Sequence, residues 1–299
     1  MTANDPIDIL MIGHITKDRL VIDGHTDIAT GGAVYYGGVA LRHIGVRVGV
    51  VTRLHPSDFP LLDELVQEGV QVFAASAPET SSMETYFTLA DVEHRIFKLK
   101  GFAGRFQAQE IPNLPTRIYL ITPVVSGEVD LPLLRQLATQ RPLALDAQGF
   151  VRRHNHGNVM LGDWPDMKQV LSHVTFLKVD RTEAEWLTGK TDLRTAVHLL
   201  AAYGPREIIL TQSSSVIAYA GGHIYEYPFR SAALAGRTGR GDTCFATYIG
   251  KRLDDASPRE ACQFAAAVTT LKQERPGPWR GTLAEVEAWI ANHRHSSLL

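Results

Sequence analysis

The residues best suited to chemistry lie in the stretch Ala235-Gly236-Arg237-Thr238-Gly239-Arg240-Gly241-Asp242-Thr243-Cys244-Phe245-Ala246. Phe245, Ile249 and Leu253 recur at four-residue spacing, which predicts a helix over Thr243–Leu253 after a β-rich segment at Ile217–Phe229. Gly239 and Gly241 therefore fall where a loop becomes a helix. Glycine tolerates positive φ and lets a ligand approach the backbone. The first amides of a helix have no internal partner and carry partial positive charge, so such a place attracts anions, phosphate above all. Asp242 stands at the same place. Bound phosphate would repel its carboxylate, which a folding role alone explains poorly. A base that takes the proton of an attacking hydroxyl explains it better. The structural alternative is a helix-capping aspartate.

Three further groups have the right types and spacing. The apolar run Ile7–Ile12 reads as a buried first strand ending at Gly13, and Thr16 and Asp18 follow it. Open α/β sheets bind ligands beyond the carboxyl ends of their strands, so Asp18 is placed to accept hydrogen bonds from sugar hydroxyls. A turn aspartate is the alternative. Gly31-Gly32 opens a helical run from Ala33 to Ile44, and the paired glycines would admit a substrate to the backbone. Tyr36 on that run either stacks on a substrate ring or packs in the core. Asp180 and Glu183 start the stretch Asp180–Gly189 with the spacing of a capping box.

The elements that must position these residues alternate. Short apolar strands are expected at Val46–Thr52, 69–73, Ile118–Ile121, Leu143–Asp146, Phe176–Val179 and Glu207–Thr211. Helices are expected at Asp58–Glu68, Leu131–Leu137, Arg181–Leu187, Asp192–Ala202, Arg259–Lys272 and Leu283–Asn292. Such alternation implies an α/β fold with a mainly parallel central sheet and helices on both faces. Two hairpin signals depart from it, one around Gly24-His25 and one around Asp91-Val92-Glu93. They are expected to form a small β lid from about residues 17–30 and 84–100 on one domain spanning 1–299. His154 and His156 read as part of a solvated polar loop.

Composition narrows the class. A formal net charge of −2 offers no basic field for nucleic acid or an anionic membrane. The apolar runs fall short of the roughly 20 residues that span a bilayer. Residues 1–8 carry acids and no basic n-region, so no secretory signal is expected there. Cys244 and Cys262 make no disulfide framework, and reduced thiols in a cytoplasmic protein are the economical reading. Gly189-Lys190-Thr191 ends like a Walker A loop, but the leading glycine falls on Ala184 inside a helix.

From about residue 7 to 290 the chain resembles the ribokinase, or PfkB, family of carbohydrate kinases. Gly239-Arg240-Gly241-Asp242 is similar to that family's Gly-Ala-Gly-Asp signature, with Arg240 in place of a common alanine. Gly31–Gly45 resembles its N-terminal signature, with Tyr36 where asparagine is usual. Asp180-x-x-Glu183 resembles its Asn-x-x-Glu, with Asp180 in place of asparagine. The resemblance implies ATP as donor, Mg²⁺, and a sugar, cyclitol or nucleoside hydroxyl as acceptor. Asp242 would be the base, and the amides of Gly239, Arg240 and Gly241 would stabilise charge on the transferring phosphoryl group. Thr16, Asp18, Gly31, Gly32 and Tyr36 would face the acceptor. Asp180 and Glu183 would hold Mg²⁺, largely through water. Thr211 and Ser213 would lie by the nucleotide, although the family's Thr-x-Gly-x-x-Gly turn reads Thr211-Gln212-Ser213-Ser214-Ser215-Val216 here. A family aspartate of the monovalent-cation region falls on Gly236, so activation by K⁺ is not expected. Lid strands invite a homodimer. Two rivals are a non-catalytic sugar- or nucleotide-binding regulator on the same fold and a dinucleotide-binding oxidoreductase. The second lacks a glycine-rich loop after its first strand, where Gly13 stands alone.

Overall fold

The computed structural model describes residues 6–88, 91–232 and 234–293. In chain order the strands are β1 (Ile9–Ile12), β2 (Thr16–Ile22), β3 (His25–Gly31), β4 (Val48–Leu54), β5 (Gln71–Ser76), β6 (Ser82–Thr88), β7 (Asp91–Gly101), β8 (Ile118–Ile121), β9 (Leu143–Asp146), β10 (Arg152–Asn155), β11 (Asn158–Leu161), β12 (Phe176–Asp180), β13 (Glu207–Thr211), β14 (Ser215–Ala220) and β15 (His223–Pro228). The α-helices are α1 (Ala33–His43), α2 (Asp63–Gln67), α3 (Leu131–Ala138), α4 (Gln148–Val151), α5 (Met167–Leu171), α6 (Arg181–Thr188), α7 (Leu193–Ala201), α8 (Arg240–Leu253), α9 (Pro258–Gln273) and α10 (Leu283–Asn292).

The main sheet runs β15-β14-β13-β12-β9-β8-β1-β4-β5. It is parallel from β13 to β5, and β14 and β15 add antiparallel strands at one edge. Strand β1 is buried on both faces, which is why its apolar run is continuous rather than alternating. Ile9 and Met11 join α1, α8 and α9 on one side, while Leu10 and Ile12 join α3, α5 and α7 on the other. The chain proceeds from β1 outward through β4 and β5, then returns through β8 to the opposite side. The strand order reverses at β1, and a crevice at the carboxyl ends of the strands is where such sheets bind ligands.

A second sheet, β10-β11-β7-β6-β2-β3, stands over that end. The β2–β3 hairpin and β6–β7 pair supply most of it, with β2 joined to β6 in parallel. Asp91-Val92-Glu93 lies inside β7, not at a turn, and the connection at 89–90 is outside the described residues. His154 and His156, expected in a polar loop, belong instead to the hairpin β10–β11, which attaches to β7 at Lys98. The left-handed φ of His156 (48°) and Gly157 (84°) makes the tight turn that pairs the two strands. The expected helix over Asp58–Glu68 is instead a 3₁₀ helix at Pro56–Leu62 followed by α2. Pro60 has no N–H to give an α-helical ladder, so the α geometry starts only beyond it.

Candidate active site

A cleft of about 330 Å³ opens between the two sheets at the carboxyl ends of the parallel strands. The start of α8 forms one wall. Gly239 is its N-cap in left-handed geometry (φ 81°, ψ 7°), and no side chain caps it. The Arg240 amide turns back to the Arg237 carbonyl at 3.2 Å, and the Thr243 amide reaches the Gly239 carbonyl at 2.9 Å. Gly241 and Asp242, in the first turn, line the cleft at the positive end of the helix. Gly239 is required by contact as well as by φ, because a β-carbon there would come within 2.2 Å of the Tyr36 ring.

Asp242 faces the same cleft from the first turn of α8. Burial pushes its carboxyl up to about 6, and the Asp146 charge adds to this, while Lys178, Arg152 and Lys272 oppose it. Its pKa thus lies closer to neutrality than that of an ordinary carboxyl, as a base for alcohol deprotonation requires. Across the cleft, Asp18 on β2 accepts the Met83 amide at 3.1 Å. Burial likewise raises it to about 6. Gly31 pairs with Thr16 in the β2–β3 ladder, and a β-carbon on it would stand 2.1 Å from Asp18 Oδ2. Gly31 therefore makes room for Asp18 and does not line the cleft. Gly32 does line it, at φ 92°, as an N-cap of α1 against the His14 carbonyl. Tyr36 is 5% exposed and lines the cleft while its ring supports Gly239, so core packing and the cleft wall meet in one side chain.

Asp180 and Thr211 line the cleft at the ends of β12 and β13. Glu183 is buried behind them. The two carboxylates form a capping box: Asp180 Oδ1 accepts the Glu183 amide and Glu183 Oε2 accepts the Asp180 amide, each at 2.8 Å. Glu183 Oε1 is buried with no hydrogen-bond partner. A Mg²⁺ ion that keeps most of its water fits this set, with Asp180 toward the cleft and the orphan Glu183 oxygen behind it. Among the described residues no group of three or more His, Cys, Asp or Glu side chains gathers as a protein-only metal cage. Ser213 is not in the cleft. It sits exposed at the β13–β14 turn, where its carbonyl accepts Arg240 Nη1 at 3.2 Å. The Arg240 guanidinium also lies 6.0 Å from the Phe229 ring centre.

Lys178 is the main residue that sequence reasoning passed over. It is buried in β12, with Nζ 3.1 Å from Asp146 Oδ1 and 3.8 Å from Glu183 Oε2. Burial opposes its charge, but Asp146, Glu183 and Asp180 hold it ionised. A β-carbon on Gly241 would meet its Nζ at 3.5 Å, so the ammonium stands beside the helix start. A lysine inside the apolar run Phe176–Val179 was the available signal, since a buried charge demands partners. Gln148 and Arg152 also line the cleft, Arg152 from the unexpected hairpin and with its guanidinium 5.2 Å from the Phe97 ring centre.

A parallel sheet that ends in an uncapped helix start, a buried ammonium and two opposed carboxylates defines a small-molecule kinase. The matching family model is the pfkB family carbohydrate kinase, over residues 7–282. The chain belongs to that family and is a phosphotransferase with an alcohol acceptor, of the sugar, cyclitol or nucleoside kinases. A solved pyrophosphate-dependent kinase in the ribokinase family, complexed with a pyrophosphate analogue and myo-inositol, is 35% identical, with a TM-score of 0.87 over 94% of this chain and 99% of that one. The cytidine kinase of Thermococcus kodakarensis is 24% identical over 268 residues, covering 86% of this chain and 92% of that protein. A putative ribokinase II from E. coli in complex with ATP and Mg²⁺ shares the fold at 18% identity, with a TM-score of 0.76 over 96% of this chain and 100% of that one. No helix among the described residues is long and apolar enough to cross a membrane.

Proposed function

We propose that the protein transfers a phosphoryl group to a hydroxyl of a cyclitol, with Asp242 as base. The observation that carries this is the Asp242 carboxylate at the open start of α8, in one cleft with Asp18 and Lys178. Asp18, with Gln148 and Arg152, would hold hydroxyls of the acceptor, and Thr16, Gly32 and Tyr36 would shape its pocket. The acceptor oxygen attacks the terminal phosphorus as its proton passes to Asp242. The bond from that phosphorus to the bridging oxygen breaks, and the leaving phosphate departs with the electron pair. The Gly241 and Asp242 amides and the Lys178 ammonium stabilise charge on the transferring group. When bound, Mg²⁺ would neutralise donor phosphate charge, held by Asp180 and, through water, by Glu183.

We read the donor as inorganic diphosphate. The turn after β13 has serines instead of glycines and closes by the Gln212 amide on the Ser215 carbonyl at 2.8 Å. Arg240 spans from the helix start to that turn, which supports a compact anion site next to the cleft. The relative that uses pyrophosphate with myo-inositol is 35% identical over nearly the whole chain. ATP, which the family resemblance implies, is the second reading, supported by Thr211 at the cleft. The cytidine kinase relative keeps nucleosides in the acceptor panel.

The test offers diphosphate or ATP with Mg²⁺ to myo-inositol, sugars and cytidine, and follows phosphate esters by phosphorus NMR. Inositol monophosphate with orthophosphate from diphosphate is expected. Turnover with ATP alone would move the donor to a nucleotide, and no ester with any pair would overturn the reading. The lid, from β2–β3 and β6–β7, would close the cleft on both substrates. Exposed Ile28 on the edge strand β3 supports a homodimer through that lid, testable by light scattering. The buried free thiols of Cys244 and Cys262 suit a cytoplasmic setting.

A further inference from the structure

Behind the start of α8 lies an ammonium that the transfer step leaves without a role. Lys272, in the last turn of α9, is 2% exposed. A last-turn lysine on a surface would merely complement the helix dipole. This one is turned inward. Its Nζ donates to the Gly236 carbonyl and lies 5.3 Å from the centre of the Tyr36 ring. The Gly236 amide is bound to α9 as well, by the Gln273 carbonyl at 2.8 Å. A β-carbon at residue 236 would strike the Arg275 carbonyl oxygen at 1.7 Å, so backbone meets backbone there. Three residues on, Gly239 turns onto the same Tyr36 ring and begins α8. One cation therefore touches both supports of Gly239: the segment that leads into it and the ring beneath it.

Burying an ammonium is costly, and an apolar side chain would serve packing alone. The charge reaches the site, since Lys272 is among the cations that hold the Asp242 carboxyl down against burial. Lys272 is not among the residues lining the cleft, so it acts through the loop rather than on substrate. With the Gly236 carbonyl drawn toward the ammonium, the planar peptide turns the Arg237 N–H away from α9. A second cleft of about 260 Å³ has Lys272, Arg275 and Trp279 among its lining residues.

We propose that Lys272 is a tethered counter-cation that positions the anion-binding loop, in the role a bound monovalent cation would otherwise fill between the loop carbonyls and α9. It is a positioning residue, and its effect on turnover rests on the phosphoryl-transfer reading above. The test compares wild type, Lys272→Ala and Lys272→Met in choline, K⁺ and ammonium chloride at equal ionic strength. Turnover and melting temperature of the wild type are expected to be indifferent to the cation. In choline, Lys272→Ala should lose kcat on the order of 10²-fold, the scale of one preorganised donor, with acceptor KM little changed. K⁺ or ammonium should restore most of that loss and raise the melting temperature of the alanine variant. Lys272→Met should lose kcat without rescue, because its side chain fills the vacated space. Wild-type kcat in either variant overturns the proposal. So does an alanine variant whose kcat and melting temperature both ignore the cation. Should Lys272→Ala fail to fold even in K⁺, Lys272→Met decides: lost kcat at a wild-type melting temperature supports the proposal, and retained kcat overturns it. The melting shift needs no turnover. If the wild type transfers no phosphoryl group, the kinase reading falls while the shift still reports on Lys272.

Discussion

The ring of Tyr36 lies so close under Gly239 that a β-carbon on the glycine would come within 2.2 Å of it. Aromatic packing from α1 thus dictates the backbone that starts α8. Gly239→Ala should be doubly disfavoured, by its φ of 81° and by this collision. A loss of about 1–2 kcal/mol of stability is expected from the left-handed conformation alone, with a larger fall in kcat as the first-turn amides shift. Tyr36→Ala in the same chain should recover part of the stability, a coupling that a double-mutant cycle by thermal melting would measure. Tyr36→Ala alone should alter the ranking of acceptors, read from kcat/KM across the panel. An unchanged ranking would restrict Tyr36 to support of the loop.

Asp242→Asn should fold and bind donor, because Asn is nearly isosteric. It should lose roughly 10²–10⁴-fold in kcat, since an amide cannot accept the hydroxyl proton. Uniform binding survives, so KM should change less. The raised carboxyl pKa means that ionised Asp242 is disfavoured in the fold, so the variant's melting temperature near pH 8 should match or exceed that of the wild type. Near wild-type kcat would remove Asp242 as the base.

The pH profile should carry the same group. The base must be ionised, and burial holds Asp242 at about 6. Turnover should therefore be flat above about pH 7 and fall as pH drops through about 6, with a limiting slope of one. Asp18, also raised to about 6, should add a second fall in kcat/KM over the same range as its acceptor contacts are lost. In Asp242→Asn the kcat limb should vanish from the residual activity. Its persistence would assign the limb to another group.

Lys178→Met should damage both stability and chemistry. Asp146 and Glu183 would be left buried without their cation, a loss of roughly 3–5 kcal/mol. Adding Asp146→Asn should return much of the stability, read by denaturant melting, without returning kcat. Recovery of turnover in that double variant would mean that Lys178 serves only the fold.

What was legible in the sequence was local. A glycine before an amphipathic helix, an acid in its first turn, and a buried strand ending at Gly13 are matters of spacing within a dozen residues. They marked Gly239, Gly241, Asp242, Thr16 and Asp18, and all of these line the cleft. The α/β alternation, which implied the sheet, is equally a record of short-range periodicity. Glycine identity was also legible, but its reason was not: Gly31 serves Asp18, and Gly236 serves a backbone contact with α9.

The tertiary structure alone decided which distant residues meet. Lys178 looks like an awkward lysine in a strand until β9 sets Asp146, 32 positions earlier, at 3.1 Å from its Nζ. Arg152 reaches the cleft because β11 hydrogen-bonds to β7, and Lys272 reaches Gly236 because α9 packs along α8. Ser213 was carried out of the cleft by the tight turn between β13 and β14, leaving Arg240 to span the gap. Ser213 is placed by that local turn, whereas Lys178, Arg152 and Lys272 owe their partners to long-range packing. Parallel strands meet only through crossovers, so the neighbours of a strand end are set by sheet order and helix packing, which no short window of sequence contains.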